Sequence, residues 1–190
     1  MKSYFFGYGS LVNRATHGYS DTDKAELTGW RRTWVQTTLR PVAILTAIPA
    51  PGCKIKGLIA YVPGSDWDML DQREWGYDRL LVTGAVRHDL VNPARIAVYA
   101  IPVRSKTAVD TQYPILMSYL DVIVQGYLHE FGIDGVRHFL DTTTGWDVPI
   151  LNDRSAPQYP RAQSLTRQEI AIVDRALGDL SATVTEPCQP

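Results

Sequence analysis

Extended, β-forming sequence fills the first half of this chain and helix-forming sequence the second, and that segregation most restricts the fold. An aromatic run from Tyr4 to Phe6 starts almost at the N-terminus. Residues 24–36 read as a strand punctuated by Trp30 and Trp34. Residues 42–48 form a short apolar run between Pro41 and Pro49-Ala50-Pro51-Gly52, and residues 54–62 alternate until Pro63-Gly64 stops them. Ser65 reads as a helix N-cap with Asp66 and Asp68 in the first turn, for a short helix ending near Arg73. Residues 77–88 and 95–103 read as two further strands.

In the second half, Pro114 suits a first helical position, and Ile115, Tyr119, Val122, Ile123 and Tyr127 recur at helical spacing up to Phe131. A shorter helix is expected over 134–140, then a Thr- and Pro-rich loop over 142–161. Thr166 and Glu169 are spaced as a capping box for a helix to about Leu177. These elements predict one mainly antiparallel α+β domain over residues 1–180, with 181–190 as a loose tail.

The formal net charge of −1 over 190 residues argues against a general nucleic-acid or anionic-membrane surface. No apolar stretch spans a bilayer and no signal-peptide pattern opens the chain, so a cytoplasmic location is expected. Cys53 and Cys188 are far apart and have no clustered histidine, which disfavours both a disulfide and a zinc site. The scattered His17, His88, His129 and His138 read as surface or loop residues.

The first strand ends at Gly7-Tyr8-Gly9-Ser10-Leu11. Two glycines one residue apart allow a sharp turn and a close approach to the backbone amides, although a strand ending in an ordinary turn reads the same way. The dinucleotide fingerprint fails because Val12 holds its third glycine position. Ser10 lacks the flanking glycines of a nucleophile elbow, and neither a Walker loop nor a His-Glu-x-x-His helix is present.

A second unusual stretch is Arg73-Glu74-Trp75-Gly76-Tyr77. Glu74 falls where a short helix gives way to a strand, with aromatic residues beside it. A carboxylate held against aromatic surface loses hydration, and its pKa rises toward the range useful for proton transfer. A solvated helix-end glutamate paired with Arg73 or Arg79 is the alternative.

Together, Phe6-Gly7-Tyr8-Gly9-Ser10-Leu11 and Arg73-Glu74-x-x-Tyr77 resemble the γ-glutamylcyclotransferase-like superfamily, which includes the γ-glutamyl cyclotransferases, the ChaC-type enzymes and the AIG2-like proteins. The resemblance spans residues 3–103 and, more loosely, the helix from Tyr113 to Phe131. It implies a small mixed, mainly antiparallel β-barrel flanked by helices, with a pocket at the first turn. It implies that Glu74 is the catalytic acid/base, that Tyr8, Gly9, Ser10 and Leu11 line the substrate site, and that Tyr113 matches a family tyrosine near the pocket. Asn13 stands where ChaC-type turns carry tryptophan, and residues after 141 have no family counterpart.

The reaction the resemblance implies converts a γ-glutamyl group to 5-oxoproline with release of an amine, amino acid or peptide. It needs no metal or organic cofactor, and its partner is a small γ-glutamyl compound. A non-catalytic protein of the same fold that retains the pocket is the competing reading. Arg154 and Arg161, with Tyr159 between them, are further candidates for holding a substrate carboxylate. A solvated loop packed on the barrel by its prolines and Trp146 is the favoured reading of the same residues.

Overall fold

Strand β1 (Lys2–Gly7) is buried from Ser3 onward on both faces, as a continuous apolar run requires when it lies inside a sheet. The computed structural model describes residues 1–102 and 113–187. β1 pairs antiparallel with β3 (Ile44–Val62), placing Phe5 opposite Ala60, and parallel with β6 (Ala94–Ala100), placing Phe5 opposite Ala97. Because side chains alternate across a strand, Tyr4 and Phe6 enter the main core. Phe5 faces the other way, into a second cluster with Leu11, Ala60, Val62, Leu70 and Tyr99.

β2 (Thr22–Val35) and β3 form a long antiparallel hairpin. The Pro49-Ala50-Pro51-Gly52 stretch, expected to separate two strands, lies inside β3. There the register shifts between the Thr28–Lys54 and Trp30–Pro49 pairs, with Gly29 and Gly52 at positive φ. A bulge absorbs the prolines without ending the strand.

The helix expected from Ser65 starts later, as α1 (Asp68–Arg73). Ser65 closes a 3-10 turn with φ at 58°, and its Oγ lies 2.8 Å from Ser3 Oγ, so its hydroxyl is used against β1 instead of a helix end. The single strand expected over 77–88 is two, β4 (Asp78–Leu81) and β5 (Val86–His88), separated by the 3-10 turn Thr83–Ala85. β4 pairs with β6 and β5 with β2, at opposite ends of the order β4-β6-β1-β3-β2-β5. A link that short between the two edges requires the sheet to curl. The result is a half-barrel, dominated by antiparallel pairs and flanked by helices, in agreement with the α+β expectation. The expected strand over 95–103 is β6; Val103 lies outside the described residues, as does Cys188.

β7 (Ile115–Leu116) occupies the positions expected to open the long helix, and Pro114 accepts a hydrogen bond from Ala43 N instead. The helix itself, α2 (Met117–Asp141), is interrupted at Gly132, whose φ of 67° and ψ of −167° are not helical. That break falls between the two helices expected from sequence. From Leu120 to Tyr127 every residue of α2 is buried, because the helix plugs the open side of the half-barrel. β8 (Thr143–Thr144) then adds to β2, and β9 (Ile150–Leu151) pairs with β7. α3 (Arg167–Asp179) carries the expected Thr166–Glu169 capping box. Within the segment expected as a tail, β10 (Val184–Thr185) pairs with β9.

Helix α2 approaches the turn after β1 through Gly126, where a Cβ would meet Asn13 N, Cα and Cβ at 2.7–2.8 Å. Alanine at a helix interior normally gains about 1 kcal/mol over glycine. Here the obstructing atoms are mostly backbone, and overpacking of about 1–3 kcal/mol outweighs that gain. Gly126→Ala is therefore expected to lower thermal stability, measured as a drop in Tm. An unchanged or raised Tm would contradict the close approach.

Candidate active site

Three separate devices converge on the turn after β1. Asn13 is 3 % exposed; its Nδ2 donates to Val122 O and Gln125 Oε1, fastening the turn to α2. α1 is held to the far face of β1 by Leu70, which is fully buried in the Phe5 cluster. Glu74 follows α1 directly, with its N–H on Leu70 O at 2.9 Å. Gly76, at φ 90°, then turns the chain into β4 against Leu39, where a Cβ would meet Leu39 Cδ1 at 2.8 Å. The strand's two-sided burial thus brings Glu74 to the Tyr8–Leu11 turn.

The space between them is a cavity in two parts. A small inner chamber of about 30 Å³ is walled by Tyr8, Gly9, Ser10 and Leu11 with Glu74, Tyr77 and Tyr119. It shares Ser10, Glu74, Tyr77 and Tyr119 with an outer chamber of about 300 Å³, which adds Arg40, Arg73, Tyr159 and Arg161.

The Glu74 side chain is 17 % exposed. Arg73 Nε donates to Glu74 Oε1 at 3.0 Å, while Oε2 makes no hydrogen bond with any described residue. Burial pushes the Glu74 carboxyl above its ordinary pKa, and the charges of Arg73, Arg161 and Arg40 only partly oppose that rise. Arg73 also donates to Thr16 O at 2.8 Å and reaches Ser10 Oγ at 3.4 Å, so one guanidinium spans the glutamate and the turn. Ser10 Oγ accepts from Tyr159 Oη at 2.9 Å, and the Tyr159 ring lies on Tyr119 with centroids 4.7 Å apart. Burial holds the Tyr77 and Tyr119 hydroxyls well above their ordinary pKa and so neutral; Tyr77 donates its proton to Leu45 O at 2.9 Å.

Of the residues singled out from sequence, Glu74, Tyr8, Gly9, Ser10, Leu11 and Arg161 share this cavity. Tyr113 does not line it; its backbone is tied to the Gln36 side chain at the end of β2. Arg154 is also elsewhere. It makes a two-pronged contact to Asp121 at 2.7 Å on each oxygen and a third to Asp174, bracing α2 against α3. Its neighbour Asp153 has a separate structural task. Asp153 accepts from Ser118 N and Oγ, which caps α2, and from Gln158 N, which sets Tyr159 over the cavity.

Tyr119 and Arg40 were not found from sequence. Tyr119 carried a signal only as one member of an apolar helical stripe, and Arg40 as one loop cation whose guanidinium covers Trp75. His17, His129 and His138 are held by Leu11 O, Glu169 and Lys56 N respectively, away from the cavity. Among the described residues no group of three or more His, Cys, Asp or Glu is placed to hold a metal ion. No helix among them is long and apolar enough to cross a membrane.

This fold recurs in solved structures. A gamma-glutamyl cyclotransferase matches with a TM-score of 0.56 at 15 % identity, covering 90 % of this chain and 98 % of that one. YkqA from Bacillus subtilis matches at 0.55 and 21 %, over 76 % of this chain and 56 % of its own. The uncharacterized protein loc79017 from Homo sapiens matches at 0.54 and 16 %, over 90 % and 97 %. At these identities the likeness is one of fold, the γ-glutamylcyclotransferase-like fold. A family model described as ChaC-like protein matches residues 3–113, and the chain belongs to that family. No curated protein matches the sequence significantly.

Arg154→Ala leaves Asp121, which is 5 % exposed, buried without its guanidinium. Breaking such a pair costs about 3 kcal/mol. A fall in unfolding free energy of that size is expected by denaturant titration; a loss under about 0.5 kcal/mol would contradict the bracing role.

Proposed function

We propose that the protein is a cofactor-independent γ-glutamyl cyclotransferase in which Glu74 moves the protons. The observation that carries this reading is Glu74 itself: desolvated, raised in pKa, bound through one oxygen to Arg73, and lining a chamber walled by the Tyr8–Leu11 turn. The family membership supports it.

In this reaction the α-amine of a γ-glutamyl group attacks the carbonyl carbon of its own side chain. An ammonium has no lone pair, so a base must first remove its proton. The ring C–N bond forms, the oxygen becomes an oxyanion, and the bond to the leaving nitrogen breaks once that nitrogen is protonated. A single carboxylate with a raised pKa serves as base and then as acid. Attacking and attacked atoms belong to one molecule, so the protein mainly has to hold the folded conformer. Backbone amides at Gly9 and Ser10 are suited to the oxyanion or the substrate carboxylate. Tyr119, kept neutral by burial, offers a further donor, while the Tyr77 hydroxyl is spent on Leu45 O at 2.9 Å. Arg161 and Arg40 add positive charge to the outer chamber, which suits a carboxylate-bearing substrate.

The test is 5-oxoproline release from a panel of γ-glutamyl amino acids, peptides and amines. Glu74→Gln is expected to lose about 10²-fold or more in kcat, the usual share of a general acid/base. Equal turnover by wild type and variant would remove the assigned role. Because the base must be ionised, kcat/KM should rise with pH through the Glu74 pKa. Burial places that rise above the ordinary glutamate range. A rise centred at or below that range would contradict the desolvated setting.

Arg161→Ala is expected to raise KM roughly tenfold for substrates whose carboxylate it holds, the loss of about one charge-assisted hydrogen bond. With kcat little changed, that pattern marks lost ground-state binding. An unchanged KM across the panel would take Arg161 out of substrate recognition.

A further inference from the structure

The largest fully buried side chain is Arg32, on β2, with no exposed surface. No carboxylate contacts it among the described residues. Its Nε donates to Tyr8 O at 3.0 Å, Nη1 donates to Thr142 Oγ1 at 2.6 Å, and Nη2 reaches Lys56 O and the Tyr127 hydroxyl. The guanidinium also lies 5.0 Å from the Tyr127 ring centroid and 5.4 Å from that of Phe139. Every hydrogen-bonding partner is neutral, so the full positive charge is felt by the groups that accept from it.

One of those groups is the Tyr8 carbonyl. It accepts from Arg32 Nε, and the Tyr127 hydroxyl, whose one proton is shared between Tyr8 O at 3.0 Å and Lys56 O at 2.7 Å, lies beside it. The Tyr8–Gly9 peptide is trans, since the described chain has no cis bond. In a trans peptide the carbonyl and the following N–H point in opposite directions. With Tyr8 O turned toward Arg32, the Gly9 N–H points away from it, and both residues wall the inner chamber. That N–H donates to no described group. A cation on the carbonyl side draws electron density through the peptide and makes the N–H a stronger donor, the cooperative effect of a hydrogen-bond chain.

We propose that Arg32 is a positioning residue that orients and polarises the Tyr8–Gly9 peptide, so that the Gly9 N–H is the donor to the oxyanion formed during cyclisation. The assignment of the oxyanion rests on the cyclotransferase reading; the polarised amide does not. Arg32 never touches the substrate. It sits behind the turn and acts through one peptide group, which explains why a cation is held where no anion balances it.

The experiment combines kinetics with the amide proton resonance of Gly9 in the ligand-free protein. Arg32→Lys keeps the charge but loses the fixed fork that aligns Nε with Tyr8 O. A drop in kcat of about tenfold is expected, part of what a whole oxyanion donor contributes, with an upfield shift of the Gly9 amide proton. Thr142→Val removes a different Arg32 bond without touching Tyr8. It should lower Tm while leaving both readouts at wild type, which separates positioning from general stability.

A folded Arg32→Lys protein with wild-type kcat and an unmoved Gly9 resonance would overturn the proposal. If that variant does not fold, Tyr127→Phe takes its place, since it removes the hydroxyl that Arg32 Nη2 reaches beside Tyr8 O. A lower kcat with an upfield Gly9 shift then supports the proposal, and wild-type values for both overturn it. If the wild type releases no 5-oxoproline while the Gly9 resonance still moves upfield, the functional reading fails and the polarised amide stands.

Discussion

Side chains on successive residues of a strand must point to opposite faces, and β1 has no polar face to give to solvent. Phe6 therefore commits one side of the strand to the half-barrel core, and Phe5 commits the other side to α1. Buried apolar area contributes about 25 cal/mol per Å², so two fully buried phenylalanines on opposite faces hold both layers firmly to one strand. The turn at the end of β1 and the glutamate at the end of α1 then have little freedom to separate. Most of the site geometry follows from this two-sided packing.

The charges around the site are arranged unevenly on that frame. Glu74 loses hydration, which favours its neutral form, while Arg73 holds one oxygen and favours the anion. The opposition leaves the carboxyl raised, with desolvation outweighing the arginine charges. Arg73 is shared with Thr16 and Ser10, so its pull on Glu74 is divided. Arg154, by contrast, is fully engaged with Asp121 and Asp174 and contributes to the packing of helices. Two arginines seven residues apart thus differ in role because the loop between them is pinned by Asp153, leaving Arg161 beside the cavity.

Much of this was legible without coordinates. The Gly-Tyr-Gly turn and Glu74 stand out because glycine pairs and a carboxylate among aromatics are locally unusual, and their local settings survive folding. The capping box of α3 was legible because both partners lie within one turn. Ser65 was misleading: its hydroxyl meets Ser3, 62 residues away, a contact no sequence window can register. The split of residues 77–88 was hidden for a similar reason, since only the pairing partners decide that β4 and β5 lie on opposite edges. Tyr159 meets Ser10 across 149 residues, and Arg32 meets Tyr127 across 95. Such contacts leave no periodic trace.

What the sequence alone determined is therefore local: where strands and helices form, where the backbone is bare, and which carboxylate sits in unusual company. These depend on backbone sterics and on neighbours within a few residues. Tertiary structure decided that Arg161 and not Arg154 reaches the site, that Tyr119 and not Tyr113 faces the turn, and that a buried arginine stands behind it. Those outcomes depend on desolvation and on contacts between distant segments, and both come into being only when the half-barrel closes around α2.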